Sequence, residues 1–166
     1  MSPAPPGPVI RLLLRAPARL YDHDLGWLLG KRFLCLTHVG RKSGRRYRTV
    51  LEVIGTKPAT GEVMVIAGMG PSADWYRNIQ ANPAIEVVVG RSRFAPIHRA
   101  LDETEAAAVV REYERSNRWV LPVIRTVLSK LLGWRYDGSE TGRIHLVRSL
   151  PIVAFRPRRE PGSSAG

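Results

Sequence analysis

Short apolar runs separated by turn residues constrain the fold of this chain more than any other feature. The runs are rich in the branched and aromatic side chains that favour β-strands, and most of the connections are short and contain glycine or proline. Pro96 restricts the fifth run to an edge strand or a bulged strand. Strands joined by hairpins predict an antiparallel sheet or barrel and argue against a parallel doubly wound sheet. The runs lie at 32–39, 48–55, 62–68, 84–90, 93–101 and 150–157.

Three helices are predicted to cover this sheet, which makes the fold class α+β. Ser72 is the expected N-cap of the first helix, and Asp102 with Glu105 predicts a capping box at the start of the second. The third carries one broad apolar face and ends at Gly133. The predicted helices cover 72–83, 102–117 and 118–134.

The two ends of the chain are expected to differ from the domain between them. Residues 1–8 read as a disordered, proline-rich arm and residues 158–166 as a disordered polar tail, so a single domain is predicted over 9–157. Within 9–20, three arginines at helical spacing share one side of a predicted helix. That helix packs on the protein's own core or lies on an anionic membrane surface, and it is too short and too charged to span a bilayer.

The charge balance indicates an acidic partner. The chain has 26 Lys+Arg against 14 Asp+Glu, a formal net charge of +12, which attracts phosphates, nucleic acid, anionic lipid or a polyanionic ligand. Cys35 is the single cysteine, which excludes a disulfide framework and fits a reducing, cytoplasmic compartment. The four histidines do not have metal-ligand spacing, so no metal is expected.

The stretch from Leu36 to Thr49 crowds five basic side chains around two glycines. Like charges at this density repel one another, so the loop is either a solvated turn or an anion site. Gly40 and Gly44 allow backbone N–H groups to approach a ligand, and Ser43 adds a hydroxyl. Because no Walker pattern is present, the loop predicts a strand–loop–strand anion site, with a nucleic-acid contact as an alternative. The basic residues are Arg41, Lys42, Arg45, Arg46 and Arg48.

A second cluster, residues 67–78, places glycines and aromatic residues at the start of the first predicted helix. Gly68 and Gly70 again allow close approach, while Trp75 and Tyr76 can wall the face of a flat heterocycle. Burial in the core explains Trp75 equally simply. Either a site for a flat ring or ordinary packing accounts for this cluster when it is taken alone.

The two clusters together resemble the deazaflavin-dependent nitroreductase (quinone reductase) family of split β-barrel proteins. The resemblance is carried by G-R-K-S-G after an apolar strand and by D-W-Y-x-N-I-x-A-N-P, and it covers residues 32–100 and the final strand. It implies an antiparallel split β-barrel with covering helices, and it implies the coenzyme F420. This coenzyme joins a flat ring to a phosphodiester and an oligoglutamate tail, which agrees with both clusters.

The resemblance also implies which residues hold the coenzyme. Those expected at its phosphate or tail are Arg41, Lys42 and Ser43. Those expected along the ring or its ribityl chain are Tyr47, Arg48, Thr49 and Val50. Those expected to offer backbone groups to the ring edge are Ile66, Ala67, Gly68 and Met69. Those expected to line the helix side are Asp74, Trp75, Tyr76 and Asn78.

This chain departs from the family pattern on the substrate side. An Ala67-Gly68-Met69-Gly70 turn stands where family members often have Ser-Lys-Gly-Gly, and Val50 replaces a common proline. The tyrosine-rich segment that shapes the substrate side in the family has no clean counterpart, and the amphipathic helix 118–134 stands in its place. The coenzyme is therefore better predicted than the substrate.

The implied reaction is hydride transfer from reduced F420 to a quinone, a nitroaromatic compound or an activated alkene. The absence of a nucleophile–base pair agrees with this reaction, because the coenzyme carries the chemistry. Tyr113, Tyr136 and His38 are the candidates for a catalytic proton-transferring group, and packing also explains each of them.

Two alternatives stay open at this point. One is a split barrel that binds FMN or FAD, and the other is a non-catalytic module that holds a lipid-like ligand under helix 118–134. The expected partners are a small-molecule acceptor and a second copy in a homodimer. Residues 9–20 are the segment that would touch the inner face of the membrane if they do not pack on the core. Nucleic acid is not expected because aromatic residues are not interleaved with the basic ones.

Overall fold

A computed structural model describes residues 31–159 and shows a seven-stranded antiparallel sheet. The order of the strands across the sheet is β5-β4-β1-β2-β3-β7-β6. Each strand pairs with its neighbours in antiparallel register, and a register shift between Val53 and Gly55 marks a bulge in β2. The strands are β1 (Phe33–Val39), β2 (Arg46–Lys57), β3 (Glu62–Ile66), β4 (Glu86–Val89), β5 (Ser92–Phe94), β6 (Pro96–Ala100) and β7 (Ile152–Pro157).

The sheet curls into a nearly closed barrel because β5 and β6 are consecutive in the chain but lie at its opposite edges. Only Ala95 separates the two strands, and its carbonyl accepts a hydrogen bond from the Arg158 N–H. Pro96 begins an edge strand, as predicted, where its missing N–H costs no ladder hydrogen bond. The predicted α+β fold with an antiparallel split barrel is confirmed.

Alternation along the strands divides the core into two layers, because successive side chains point to opposite faces of a sheet. Val63 and Val65 face the barrel interior, where they pack with Leu34, Trp75 and Phe155. The outward-facing residues of the same strand pack under the helices. This outer layer is formed by Ile54, Met64, Ala106, Val110, Tyr136, Leu146, Val147, Ile152 and Ala154.

Four helices accompany the barrel in the described part of the chain. They are α1 (Asp74–Ala81), α2 (Glu103–Ser116), α3 (Leu121–Leu132) and α4 (Glu140–Ser149), and single 3-10 turns precede α1 and α3. Gly133 ends α3 in the left-handed conformation, with φ 76°, as predicted. No helix was predicted over α4, although the Ser139 hydroxyl accepts a hydrogen bond from Gly142 N–H and so caps it.

Two capping predictions are corrected by the structure. Ser72 lies in a 3-10 turn, where its hydroxyl donates to the Met69 carbonyl, so it does not cap α1. Asp102 does cap α2 by accepting from the Glu105 N–H at 2.8 Å. The reciprocal half of the capping box is absent because the Glu105 carboxylate pairs with Arg99 and Lys57 instead.

Several predictions concern residues outside the described range 31–159. The disordered arm, the helix over 9–20 with its membrane contact, and most of the C-terminal tail fall there, so they stay predictions. Within 31–159, no helix is long and apolar enough to span a membrane. The same residues contain no group of three or more His, Cys, Asp or Glu side chains placed to hold a metal ion.

Candidate functional site

A cavity of about 430 Å³ lies between the β1–β2 hairpin and α1. It brings the two sequence clusters together, because the basic loop supplies one wall and the first two turns of α1 supply the other. The lining residues are His38, Gly40, Arg41, Lys42, Ser43, Tyr47, Arg48, Thr49, Asp74, Trp75 and Asn78.

The hairpin loop depends on both of its glycines. Gly44 has φ +67°, a conformation that other residues rarely adopt. A Cβ on Gly40 would lie 2.7 Å from the Tyr47 ring and 2.5 Å from Ser43 Oγ, so any side chain there would displace these two residues from the cavity wall. The role of Gly40 as a contact surface for Tyr47 was not apparent from the sequence, because a loop glycine alone does not say what it touches.

Arg41 ties the loop to α1. Its backbone N–H and its Nη1 both donate to Asn78 Oδ1, at 3.1 and 2.8 Å, and its Nη2 donates to Asp74 Oδ1 at 3.1 Å. The Arg41 side chain is only 18% exposed, whereas that of Asp74 is 85% exposed. The guanidinium predicted at the phosphate thus braces the cavity wall in this structure.

His38 continues the same network into the barrel wall. Its Nδ1 lies 3.1 Å from Asn78 Nδ2, its Nε2 lies 2.9 Å from Thr49 Oγ1, and its ring stacks on Tyr47 with centroids 6.0 Å apart. Burial lowers the pKa of His38 below its ordinary value, and the negative charge of Asp74 only partly offsets this. The histidine is therefore neutral at physiological pH.

Lys42 and Ser43 form the exposed part of the cavity rim. The Ser43 hydroxyl lies 3.1 Å from the Tyr47 hydroxyl and accepts from the Arg45 N–H at 3.3 Å. Within 31–159, the hydrogen bonds and ion pairs do not engage the Lys42 ammonium. These two side chains can meet an anion without breaking the network behind them.

Six of the predicted coenzyme residues do not line this cavity. Strand alternation turns Val50 to the outer face of β2, and Ile66 packs in the outer layer. Ala67 is fully buried, and its N–H is bonded to the Pro151 carbonyl. Tyr76 packs against the barrel core and meets Trp75 edge to face. The six residues are Val50, Ile66, Ala67, Gly68, Met69 and Tyr76.

An apolar groove of about 390 Å³ lies on the outer face of β2, under α3. Ile66, one of the six residues that do not line the cavity, is part of the groove wall. Arg32 and Glu52 supply the polar groups at one end. Val123 and Val127 of α3 remain 64% and 51% exposed. The apolar lining residues are Ile54, Ile66, Val110, Val120, Val123, Ile124, Val127, Leu128, Leu131 and Leu146.

The two candidate tyrosines have different surroundings. Tyr113 lines the groove and donates to Glu52 Oε1 at 2.7 Å, and burial together with that carboxylate raises the pKa of its phenol. Tyr136 is only 2% exposed and donates to Glu114 Oε1 at 2.7 Å, with its pKa raised for the same two reasons. Packing therefore accounts for Tyr136, while Tyr113 can reach a ligand in the groove.

The sequence also matches a known class of reductases, and the barrel with its basic loop has the form expected of that class. The profile of the F420H(2)-dependent quinone reductase family matches residues 15–120. The chain belongs to this family and is an F420-dependent oxidoreductase, so the resemblance read from the two clusters is confirmed.

One curated protein and two solved structures are similar to this chain. The proposed F420H(2)-dependent quinone reductase Rv3178 of Mycobacterium tuberculosis is 26% identical over 125 residues, which cover 75% of this chain and 89% of that protein. The solved F420-H2 dependent reductase FDR-A is 20% identical, covers 76% of this chain and 96% of its own, and superposes with a TM-score of 0.47. A pyridoxamine 5'-phosphate oxidase-related, FMN binding protein of Nostoc punctiforme is 17% identical, with coverages of 92% and 81% and a TM-score of 0.48. The assignment rests on the family match because both structural similarities are partial.

Proposed function

We propose that this protein transfers a hydride from reduced coenzyme F420 to a quinone, with the coenzyme phosphate bound at the cavity rim. The observation that carries the proposal is that the cavity wall has two kinds of polar side chain, one set bonded to each other and one set exposed. Arg41, Asn78 and His38 are tied to one another, while the exposed Lys42 and Ser43 are left to face an anion. An ammonium beside a hydroxyl on a glycine loop suits a phosphate oxygen, and the open rim leaves room for an acidic tail.

The residues of this chain bind and orient the reactants, because the coenzyme, when bound, supplies the hydride. Lys42 and Ser43 hold the phosphate, and Tyr47 lines the path from the rim toward the barrel. Burial of Trp75 in the barrel core keeps the α1 side of the cavity rigid. Positioning of this kind is the main contribution that a protein makes to such a reaction.

The groove under α3 is the site that we propose for the acceptor. Its long apolar wall suits a quinone with a hydrocarbon side chain. Ile66 belongs to this wall and begins the segment 66–69 that is expected at the ring edge, so the groove lies beside the expected position of the ring. Reduction of a quinone by a hydride also requires one proton. Tyr113 is our candidate for passing that proton from solvent, because its hydroxyl lies in the groove wall. Its pKa is raised by burial and by Glu52, so it must take up a solvent proton as it gives its own to the quinol oxygen.

Other acceptors are consistent with the same hydride donor. Nitroaromatic compounds and activated alkenes are electrophiles of similar size, and we propose them as secondary acceptors. A homodimer, a cytoplasmic location and contact of residues 9–20 with the membrane are further parts of the proposal, to be tested by solution mass measurement and by fractionation.

A titration of the full chain with three ligands tests the proposal. Oxidised F420 should bind tightly, while FMN and a single-stranded oligonucleotide should bind weakly at moderate salt. Lys42→Ala should weaken F420 binding by about 10- to 100-fold, the value of one charged hydrogen bond, without changing the unfolding midpoint. Lys130→Ala is the matched control, because Lys130 is an exposed lysine on α3. Tight FMN binding without F420 binding would contradict the assignment.

A further inference from the structure

The network behind the cavity has a direction that follows from the chemistry of its donors. Arginine has no hydrogen-bond acceptor, so the two Arg41 nitrogens that contact one atom of the Asn78 amide identify that atom as the oxygen. The Asn78 nitrogen is then the atom that faces His38 Nδ1 at 3.1 Å. Because an amide nitrogen only donates, His38 Nδ1 must be the acceptor.

The tautomer of His38 follows from this contact. A neutral imidazole that accepts at Nδ1 carries its proton on Nε2. His38 Nε2 lies 2.9 Å from Thr49 Oγ1, so the histidine donates and the threonine oxygen accepts. His38 is buried, which keeps water from supplying a competing partner at either nitrogen.

Thr49 is the last residue of this hydrogen-bonded series and lines the cavity. Its oxygen already accepts from His38, and its own O–H bond must be directed toward another group. Within residues 31–159, no second partner of this hydroxyl occurs in the hydrogen-bond pattern. The hydroxyl proton is therefore available to an acceptor in the cavity.

We propose that Thr49 is an obligatory hydrogen-bond donor to the ligand of this cavity, and that its acceptor is a phosphate oxygen. Phosphate is favoured over a neutral acceptor because Lys42 and Ser43 line the same cavity and the net charge of the chain is +12. This places Thr49 at the phosphate, whereas the family resemblance implied a position along the ring or its ribityl chain. The series Arg41, Asn78, His38, Thr49 then forms one relay of donors that runs from the β1–β2 loop through α1 and the barrel wall to the ligand. This inference rests on the proposed function, because it assumes that F420 supplies the phosphate.

Two substitutions of Thr49 test the proposal. Thr49→Val keeps the shape of the side chain but has neither donor nor acceptor, and it should weaken F420 binding by about 10-fold, within the range for a hydrogen bond to a charged group. Thr49→Ser restores the hydroxyl and should bind within about threefold of the wild type. Thr56→Val is the matched control, because Thr56 is an exposed threonine of the same strand. Equal affinity of Thr49→Val and wild type would overturn the proposal.

A coenzyme fragment identifies the acceptor. The deazaflavin ring with its ribityl chain but without phosphate should bind to wild type and Thr49→Val equally. A Thr49→Val loss that persists with this fragment overturns the assignment to phosphate. The unfolding midpoint of each variant is measured in parallel, and rescue by serine separates a lost donor from a disturbed fold. If the wild type itself fails to bind F420, the proposed function has failed and not the relay.

Discussion

The cavity and the groove are built on opposite physical principles. In the cavity, buried polar side chains determine one another's orientation, from Arg41 through Asn78 to His38. In the groove, the wall formed by α3 has no fully buried residue and presents valines to solvent. Hydrogen bonds are directional, whereas apolar contacts are not, so the first region can specify one ligand group and the second can accept variable apolar ones.

The helices behind the groove hold the α3 wall in place through a cluster of polar side chains. Glu114 lies at the end of α2, where it is almost fully buried, and it joins Tyr136 to Arg143 of α4. Ser129 accepts from the Tyr136 N–H and so attaches α3 to the same cluster. A buried polar cluster centred on Glu114 therefore lies behind the apolar groove. Comparing the two regions by mutation tests whether polar networks carry both the specificity of the cavity and the stability of the groove.

The largest loss of stability is expected when the Glu114 cluster is broken. Glu114→Ala takes the buried acceptor from both the Tyr136 hydroxyl and the Arg143 guanidinium, whose side chain is only 15% exposed. Arg143 keeps only its ion pair with the exposed Glu140, so the free energy of unfolding should fall by about 3–5 kcal/mol. Urea denaturation measures this loss. Glu112→Ala is the control, because Glu112 pairs with Arg115 at the surface and should change stability by less than about 1 kcal/mol. Similar values for the two variants would mean that Glu114 is not a structural centre.

Asn78→Ala should have the next largest effect and should act on both stability and binding. It leaves two donors of Arg41 and the buried Nδ1 acceptor of His38 without their partner. Each unsatisfied group costs about 1–3 kcal/mol, so we expect a total near 2–4 kcal/mol. F420 affinity should fall in the same variant, because the relay to Thr49 loses its direction. Asn82→Ala provides the control through the same denaturation and titration, since Asn82 contributes its backbone N–H to the end of α1. Unchanged F420 affinity in Asn78→Ala would contradict the link between the two.

A double substitution on the groove should separate function from stability. Val123→Asp with Val127→Asp replaces exposed valines, so the free energy of unfolding should change by less than about 0.5 kcal/mol for each position. The KM for a quinone with an isoprenoid side chain should rise about tenfold, because burial of a few methylenes against the groove is lost. The same ring without a side chain is the control substrate. An equal rise for both quinones would place the acceptor elsewhere.

The smallest effects are expected from pH, and they should appear at opposite ends of the scale. The pKa of His38 is lowered by folding. Its contribution to the free energy of unfolding is therefore present above the ordinary pKa near 6.5 and is lost as the pH falls below that value. Asp74 is the charged group that acts on His38, and it opposes the shift, while Tyr47 stacks on the imidazole ring. Protonation of His38 at Nδ1 also removes the acceptor that faces Asn78 Nδ2, so F420 affinity should weaken on acidification. A titration from pH 8 to 5 measures this.

On the groove side the sign is reversed. Burial raises the pKa of the phenols of Tyr113 and Tyr136, so their contribution to stability is complete below about pH 10 and is lost above it. Denaturation midpoints measured from pH 9 to 11 should fall, and Tyr136→Phe should flatten that fall. A fall of the same size in the variant would show that other groups control alkaline stability.

The sequence predicted the elements whose signals are local. Strand runs and hairpin turns predicted an antiparallel sheet or barrel, the family resemblance specified the split barrel, and Pro96 predicted an edge or a bulge. The meeting of the basic loop with α1 was anticipated through the family resemblance, and the contact of Arg41 with Asn78 shows its geometry. The helix α4 was missed because its sequence lacks a clear apolar stripe and contains Gly142, so the Ser139 cap was its main local signal.

The roles of single side chains depend on long-range contacts and could not be predicted. The family resemblance implied that Arg41 meets the coenzyme phosphate or tail, and the side chain that accepts from Arg41 in the structure lies 37 residues away. Glu114 appears in sequence as an ordinary charged residue of a helix, and only the packing of α4 makes it buried. In the same way, the tautomer of His38 depends on three elements that come together only in the folded barrel.

The arrangement of the strands has a consequence for synthesis on the ribosome. β1 to β5 can pair as soon as they emerge, but β6 has its neighbour in β7, and Pro96 pairs with Pro157 only after α2, α3 and α4 have been translated. Until then β3 and β6 both present unpaired edges, which are the sites where nascent sheets associate with other chains. Ribosome-bound chains stalled before residue 152 should therefore bind chaperones, and release should follow when β7 completes the wall between those two edges.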